Sequence, residues 1–211
     1  MIRIYCRGRH VLTACALWVA TVVCSYAFWY AALDLPQGSI VIQELVGVAF
    51  AVLASICISP RMPSWELLAR VEIHRLAAVA SLGVLAATTA TPLLVHQLVT
   101  RLPRELVPRS SVYDPSEYDL GQLDPLITNL ALIAALVLLL TAAVGRVRGV
   151  LASLLIYAAL LYGSYQGQRW VPFAFYGVQL EPPLQEAWAT GMGLMAVIAW
   201  YRTAGAKTDE L

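Results

Sequence analysis

Between residues 11 and 33 the chain reads VLTACALWVATVVCSYAFWYAAL without one charged side chain, and comparable apolar stretches return five more times before the C-terminus. About 20 residues at roughly 1.5 Å of helical rise match a hydrocarbon core of about 30 Å. Backbone amides in that medium find no water, so each stretch must close its own hydrogen bonds as a helix. The pattern predicts spans over residues 11–32, 40–59, 76–98, 124–144, 149–167 and 184–202. The expected fold is all-α: one polytopic transmembrane domain over residues 1–211, with six helices that run antiparallel because most of their connections are short.

Composition strengthens this reading. Hydrophobic residues make up 60% of the chain and charged ones 13%, against about a quarter charged in soluble domains. The net charge of +1 and the lack of a basic stripe interleaved with aromatics exclude nucleic acid as an expected partner. Lys and Arg near span ends resist translocation and collect on the cytoplasmic side. With the N-terminus inside, that side holds Arg3, Arg7, Arg9, Arg61, Arg70, Arg75, Arg146, Arg148, Arg202 and Lys207, while the outer side holds only Arg101, Arg104, Arg109 and Arg169. Both termini are therefore expected in the cytoplasm, with outer loops near residues 34–39, 100–123 and 168–183. Thirteen arginines against one lysine, in a chain rich in Ala and Leu, point to a high-GC bacterium and so to its plasma membrane.

Targeting signals and enzymatic chemistry do not assemble. Arg3, Arg7 and Arg9 ahead of an apolar run resemble a signal peptide, but residues 11–33 outrun a signal core of about 7–15 residues. The terminal KTDEL departs from an endoplasmic-reticulum retrieval signal at Thr208. Cys6, Cys15, Cys24 and Cys57 form no CxxC, and three of them fall inside the first two spans, where Cys acts as a small hydrophobe. His10, His74 and His96 lie too far apart along the expected topology to share a metal. GSYQG at residues 163–167 misses the GxSxG pattern of a nucleophile elbow, and no Walker A loop occurs. No catalytic residue, metal or cofactor is expected on this chain, and active transport would draw its energy from another polypeptide.

The segment SPRMPSWELLARVEIHRL, residues 59–76, carries the clearest functional pattern. Pro60 and Pro63 stop the second span, Ser64 suits an N-cap, and Glu66 falls in the first turn, where negative charge complements the helix dipole. At about 100° per residue Glu66, Arg70 and His74 share one polar stripe, with Trp65, Leu68 and Val71 opposite and Glu72 intruding among them. The expectation is a short cytoplasmic helix along the membrane, either an interfacial elbow or a docking element for a soluble partner.

Six spans, both ends inside, a basic N-terminal lead and this helical elbow resemble an ABC-2-type transporter permease, the membrane subunit of an ABC exporter. The resemblance covers the whole chain at the level of topology. It implies a coupling helix over residues 63–75, with Pro63, Trp65, Glu66, Arg70 and His74 meeting a separate ATPase subunit that holds ATP and Mg. It also implies a homodimer or pseudo-symmetric heterodimer of permeases, embedded in membrane lipid, around a path for an amphipathic cargo such as a lipid, drug or peptide. The alternatives are a substrate-binding integral subunit of a small-molecule importer and a non-transporting assembly factor.

Four other features bear on function. Trp170, Phe173, Phe175 and Tyr176 between the last two spans suit headgroup depth as an interfacial belt, or, on the family resemblance, a re-entrant outer lid. The proline-rich segment of residues 101–124 is expected to cap the outer mouth. Gln43, Glu44, His96, Gln97 and Asn129 are polar positions within spans and need partners. Glu44 and His96 fall at similar outer depth, either paired as an outer gate or with Glu44 snorkelling to the interface. Pro92, in TTATP, deprives the Thr88 carbonyl of its backbone partner and is expected to bend span three, as a gating hinge or a fixed kink.

Overall fold

The computed structural model of the chain describes residues 10–35, 38–59, 72–103, 105–108, 123–166 and 182–204. Six helices appear among them: α1 (Val11–Ala27), α2 (Ile42–Ile58), α3 (Glu72–Arg101), α4 (Leu123–Val144), α5 (Arg146–Tyr165) and α6 (Pro182–Thr203). Each coincides with one of the six predicted apolar stretches. By length and composition α3, α4 and α5 can cross a membrane, and α1 and α2 are shorter apolar helices.

α1 ends sooner than expected. The Phe28 N–H still bonds the Cys24 carbonyl, after which residues 28–31 turn and the chain pairs with itself. Strands β1 (Ala32–Leu35) and β2 (Gly38–Val41) form an antiparallel hairpin in the register Ala32 with Val41 through Leu35 with Gly38. The Ile42 N–H then bonds the Ala31 carbonyl at 2.9 Å, handing the chain into α2. The outer loop expected at residues 34–39 thus falls within a small β-hairpin, and among the described residues the fold is helical with this one addition.

The third helix begins earlier than expected. His74 and Arg75, placed by the sequence in a separate elbow, lie in the opening turns of a continuous α3. Pro63, Trp65, Glu66 and Arg70 lie outside the described residues, as do Trp170, Phe173, Phe175 and Tyr176.

α4 is the axis of the bundle, packing against α2, α3, α5 and α6. No charged residue interrupts it after Asp124, and a helix that is apolar all round is buried on several sides. Leu126, Leu130, Ile133, Val137 and Leu138 are almost wholly enclosed. Alanines mark the closest crossings: Ala54 on α2, Ala77 on α3, Ala134 and Ala135 on α4 and Ala196 on α6 expose nothing, which lets backbones approach. Trp200 on α6 reaches into the same core and donates its indole N–H to the Leu138 carbonyl at 2.7 Å. Several buried hydroxyls turn back on their own helices, as Ser55 does to Val52 and Thr88 to Val84, so these need no water.

Between α4 and α5 a single residue, Gly145, makes the turn, with φ 96°. Its N–H bonds the Thr141 carbonyl and its own carbonyl receives the Gly149 N–H. A Cβ at position 149 would lie 2.6 Å from the Thr141 backbone nitrogen, so both glycines are required by geometry.

Candidate functional site

The hairpin end of the bundle gathers the starts of α2, α4 and α6 beside the second half of α5. Glu44 stands in the first turn of α2, Asn129 on α4, Tyr157 on α5 and Gln185 near the start of α6. All four side chains are buried, with Glu44 only 3% exposed. The Tyr157 hydroxyl donates to Glu44 Oε1 at 3.0 Å, and the Asn129 amide donates to Glu44 Oε2 at 3.3 Å. Gln185 in turn donates from Nε2 to Asn129 Oδ1 at 3.1 Å. Three hydrogen bonds tie four helices together around one carboxyl group.

Leu126, Leu130 and Val48 belong to the apolar cluster that also includes Tyr157, so the polar chain is set inside hydrocarbon. Gly47 keeps α2 close to α4 there, because a Cβ would lie 2.5 Å from Leu130 Cδ2. Hydrogen bonds to a charged group are worth about 1.5–3 kcal/mol, and stranding a buried polar group costs about as much. The chain is therefore a tie between helices as well as a chemical site.

A layer of aromatic anchors covers this end. Gln43, next to Glu44, donates to the Trp29 carbonyl at 3.4 Å, and Trp29 donates its indole N–H to the Pro108 carbonyl at 3.0 Å. The Tyr26 hydroxyl donates to the Leu106 carbonyl at 2.7 Å. Val107 is buried with Trp29, Val95 and Val99. The short stretch of residues 105–108 is thereby pinned against α1 and α3, while residues 109–122 of the expected cap lie outside the described residues.

Glu44 and His96 do not form the expected outer gate. Both carboxylate oxygens of Glu44 are engaged from α4 and α5, and the side chain does not snorkel, since it is enclosed by the bundle. His96 is buried on α3, where its carbonyl accepts the Thr100 hydroxyl at 2.8 Å. Gln97, expected to need a partner, is exposed on the outside of α3.

Pro92 lies within an uninterrupted α3. Just before it Trp18 of α1 donates to both the Ala87 carbonyl and Thr91 Oγ1, and the Thr91 hydroxyl donates to the same Ala87 carbonyl. At the opposite end of the bundle, His74 Nδ1 lies 2.7 Å from the Tyr201 carbonyl oxygen, with the two rings edge to face. A carbonyl only accepts, so Nδ1 carries the proton. The bond satisfies a carbonyl in the last turn of α6 and ties that turn to the start of α3.

The sequence flagged Gln43, Glu44 and Asn129 as polar groups in need of partners. It did not single out Tyr157 or Gln185, which complete the chain. Tyr157 stands in an apolar run where an aromatic reads as ordinary hydrophobic filling, and Gln185 lies near a span end where a polar residue needs no explanation. Among the described residues no group of three or more His, Cys, Asp or Glu gathers as metal ligands. Comparison with family models, with curated proteins and with solved structures gives no match.

Proposed function

We propose that this chain is a six-span membrane protein with both ends in the cytoplasm, serving as the permease subunit of an ABC-2-type exporter. The observation that carries this reading is the unequal length of its two connections at the end opposite the hairpin. One residue suffices to join α4 and α5, whereas residues 59–71 intervene between α2 and α3, which also pack together. That is more chain than closure requires. Its Pro63, Trp65, Glu66 and Arg70 have the amphipathic spacing of a docking helix, and His74 follows in α3, bonded to the end of α6. A push on such an element would reach α2, α3 and α6 together.

In this reading a separate ATPase binds ATP and Mg, two permeases as homodimer or heterodimer enclose the path, and the cargo is amphipathic. Affinity purification from the native bacterium should bring down an ATPase with a Walker A loop. Reversing charge at Glu66 and Arg70 together should release that ATPase, or uncouple its hydrolysis from transport, while the helices remain inserted. A chain that purifies free of any ATPase, or an ATPase indifferent to both reversals, would reject the proposal.

The buried Glu44 chain favours a second reading, an integral substrate-binding subunit of an importer for a small polar solute. Saturable solute binding by the isolated chain, abolished by Glu44→Gln and independent of residues 63–75, would select it over the exporter.

A further inference from the structure

We infer that the chain Tyr157, Glu44, Asn129, Gln185 is a reversible binding site for one proton, which joins the Glu44 carboxyl and turns the two amides with it. This goes beyond the transporter proposal and does not rest on it. In the arrangement observed, every donor points towards Glu44. Tyr157 O–H meets Oε1, Asn129 N–H meets Oε2, and Gln185 N–H follows behind to Asn129 Oδ1. This is the pattern of an ionised carboxylate, which only accepts.

Both carboxylate partners are neutral. An ionisable group enclosed within a membrane bundle in this way marks an ion or proton site. A proton arriving from water forms a new O–H bond on Oε2, no bond to a heavy atom breaks, and no electrons are transferred. The new donor needs an acceptor where Asn129 Nδ2 now stands. Half a turn of the amide places Oδ1 there and sends the N–H towards Gln185, and the same half turn at Gln185 presents Oε1 to it. Amide oxygen and nitrogen are nearly alike in size, so the heavy atoms hardly move. Tyr157 goes on donating to Oε1. Within the chain, the charged and neutral states thus keep the links from Glu44 to Asn129 and from Asn129 to Gln185, with the direction of both reversed.

The geometry favours a proton over a metal cation. The polar atoms already lie 3.0 to 3.3 Å apart, so a proton needs no extra room, whereas a metal ion would have to part them. The fixed charges nearby do not replace it. Among the described residues, the titratable side chains at this end of the surrounding helices include Cys24 and Tyr26 on α1, His96 and Arg101 on α3, exposed Asp124 on α4, exposed Tyr162 on α5, and exposed Glu186 beside Gln185 on α6, while His74, Arg75, Arg146, Arg148, Tyr201 and Arg202 lie towards the opposite end. Neither bond to the Glu44 carboxyl comes from any of these.

Infrared difference spectroscopy of the full chain in lipid vesicles, titrated with acid and base, tests the site. The expected result is a protonated-carboxyl C=O band that appears with acid, is lost in Glu44→Gln, and shifts in frequency in Tyr157→Phe. Side-chain amide bands should move at the same midpoint and stop moving in Glu44→Gln. Circular dichroism of each variant checks that the helices persist. A titration without any Glu44-dependent carboxyl band overturns the site. A Glu44 band that titrates while the amides stay still overturns the reversal. Loss of the band on adding sodium chloride in place of choline chloride at constant pH overturns the proton in favour of a metal cation.

Discussion

Trp18 of α1 holds the Ala87 carbonyl of α3 at 3.1 Å, just ahead of Pro92, and so fastens one helix to another next to the Thr88 carbonyl, which proline leaves without its backbone donor. The indole adds a donor to a stretch of helix that proline leaves short of one. A change in the course of α3 at this level therefore has to break this contact or carry α1 along.

Trp18→Phe keeps the ring and removes the donor, and should lower stability by about 1 kcal/mol in a denaturation measurement in detergent. Pro92→Ala returns an N–H towards the Thr88 carbonyl but leaves the tie to α1 in place. Alone it should stabilise little. Combined with Trp18→Phe it should recover more than the two single effects predict, because α3 is then free to adjust around the restored N–H. Strict additivity would show that the two residues act independently.

Tyr157→Phe withdraws one of the two donors to Glu44 and should cost about 1–3 kcal/mol. The loss should be smaller in a Glu44→Gln background, where the partner is neutral. The difference, read from a double-mutant cycle on unfolding in detergent, should be about 1 kcal/mol or more. A vanishing difference would mean that the Tyr157 hydroxyl does not contribute through Glu44.

Glycine substitutions should divide by surroundings. Gly149→Ala drives a Cβ against the Thr141 backbone and should be strongly destabilising, and Gly145→Ala should cost about 1 kcal/mol for its left-handed φ. Gly47→Ala meets only the movable end of Leu130 and should cost less than Gly149→Ala. Gly83→Ala and Gly191→Ala find open space within their helices, so they should be neutral or slightly stabilising. Thermal unfolding of the set should reproduce this order.

The proposed orientation, with both ends in the cytoplasm, rests on the distribution of basic residues. In a variant lacking the native cysteines, Val112→Cys should react with an impermeant maleimide added to intact cells, and Lys207→Cys should react only after lysis. The reverse pattern would invert the topology and remove residues 63–75 from the cytoplasm.

The helices were legible in the sequence because uninterrupted apolar length is a strong signal. Their facing was not. Trp18, Trp29 and Trp200 each donate an indole N–H across a helix boundary or to a loop, yet in sequence each is one more apolar residue in an apolar run. The same limit hid the partners of Glu44. Depth along the span put His96 beside it, but depth says nothing of rotation about the helix axis, and rotation brought Asn129 and Tyr157 instead. The hairpin of residues 32–41 was missed because Ala, Leu, Ile and Val there continue the composition of the spans, and only hydrogen-bond pairing separates strand from helix.

The one-residue turn at Gly145 also constrains how the protein enters a bilayer. The most apolar window of α4 has mean hydropathy 2.5, against 1.3 for α5, so α4 partitions readily and α5 weakly. There is no slack between them, and Gly149 lodges against Thr141, so the two helices form one tightly joined pair. In the proposed six-span topology the pair would enter as a helical hairpin, the stronger half drawing in the weaker, with Arg146 and Arg148 at the cytoplasmic bend. A polar insertion at position 145 would break that dependence, leaving α5 to insert by its own hydropathy and the Tyr157 end of the polar chain to arrive late or not at all.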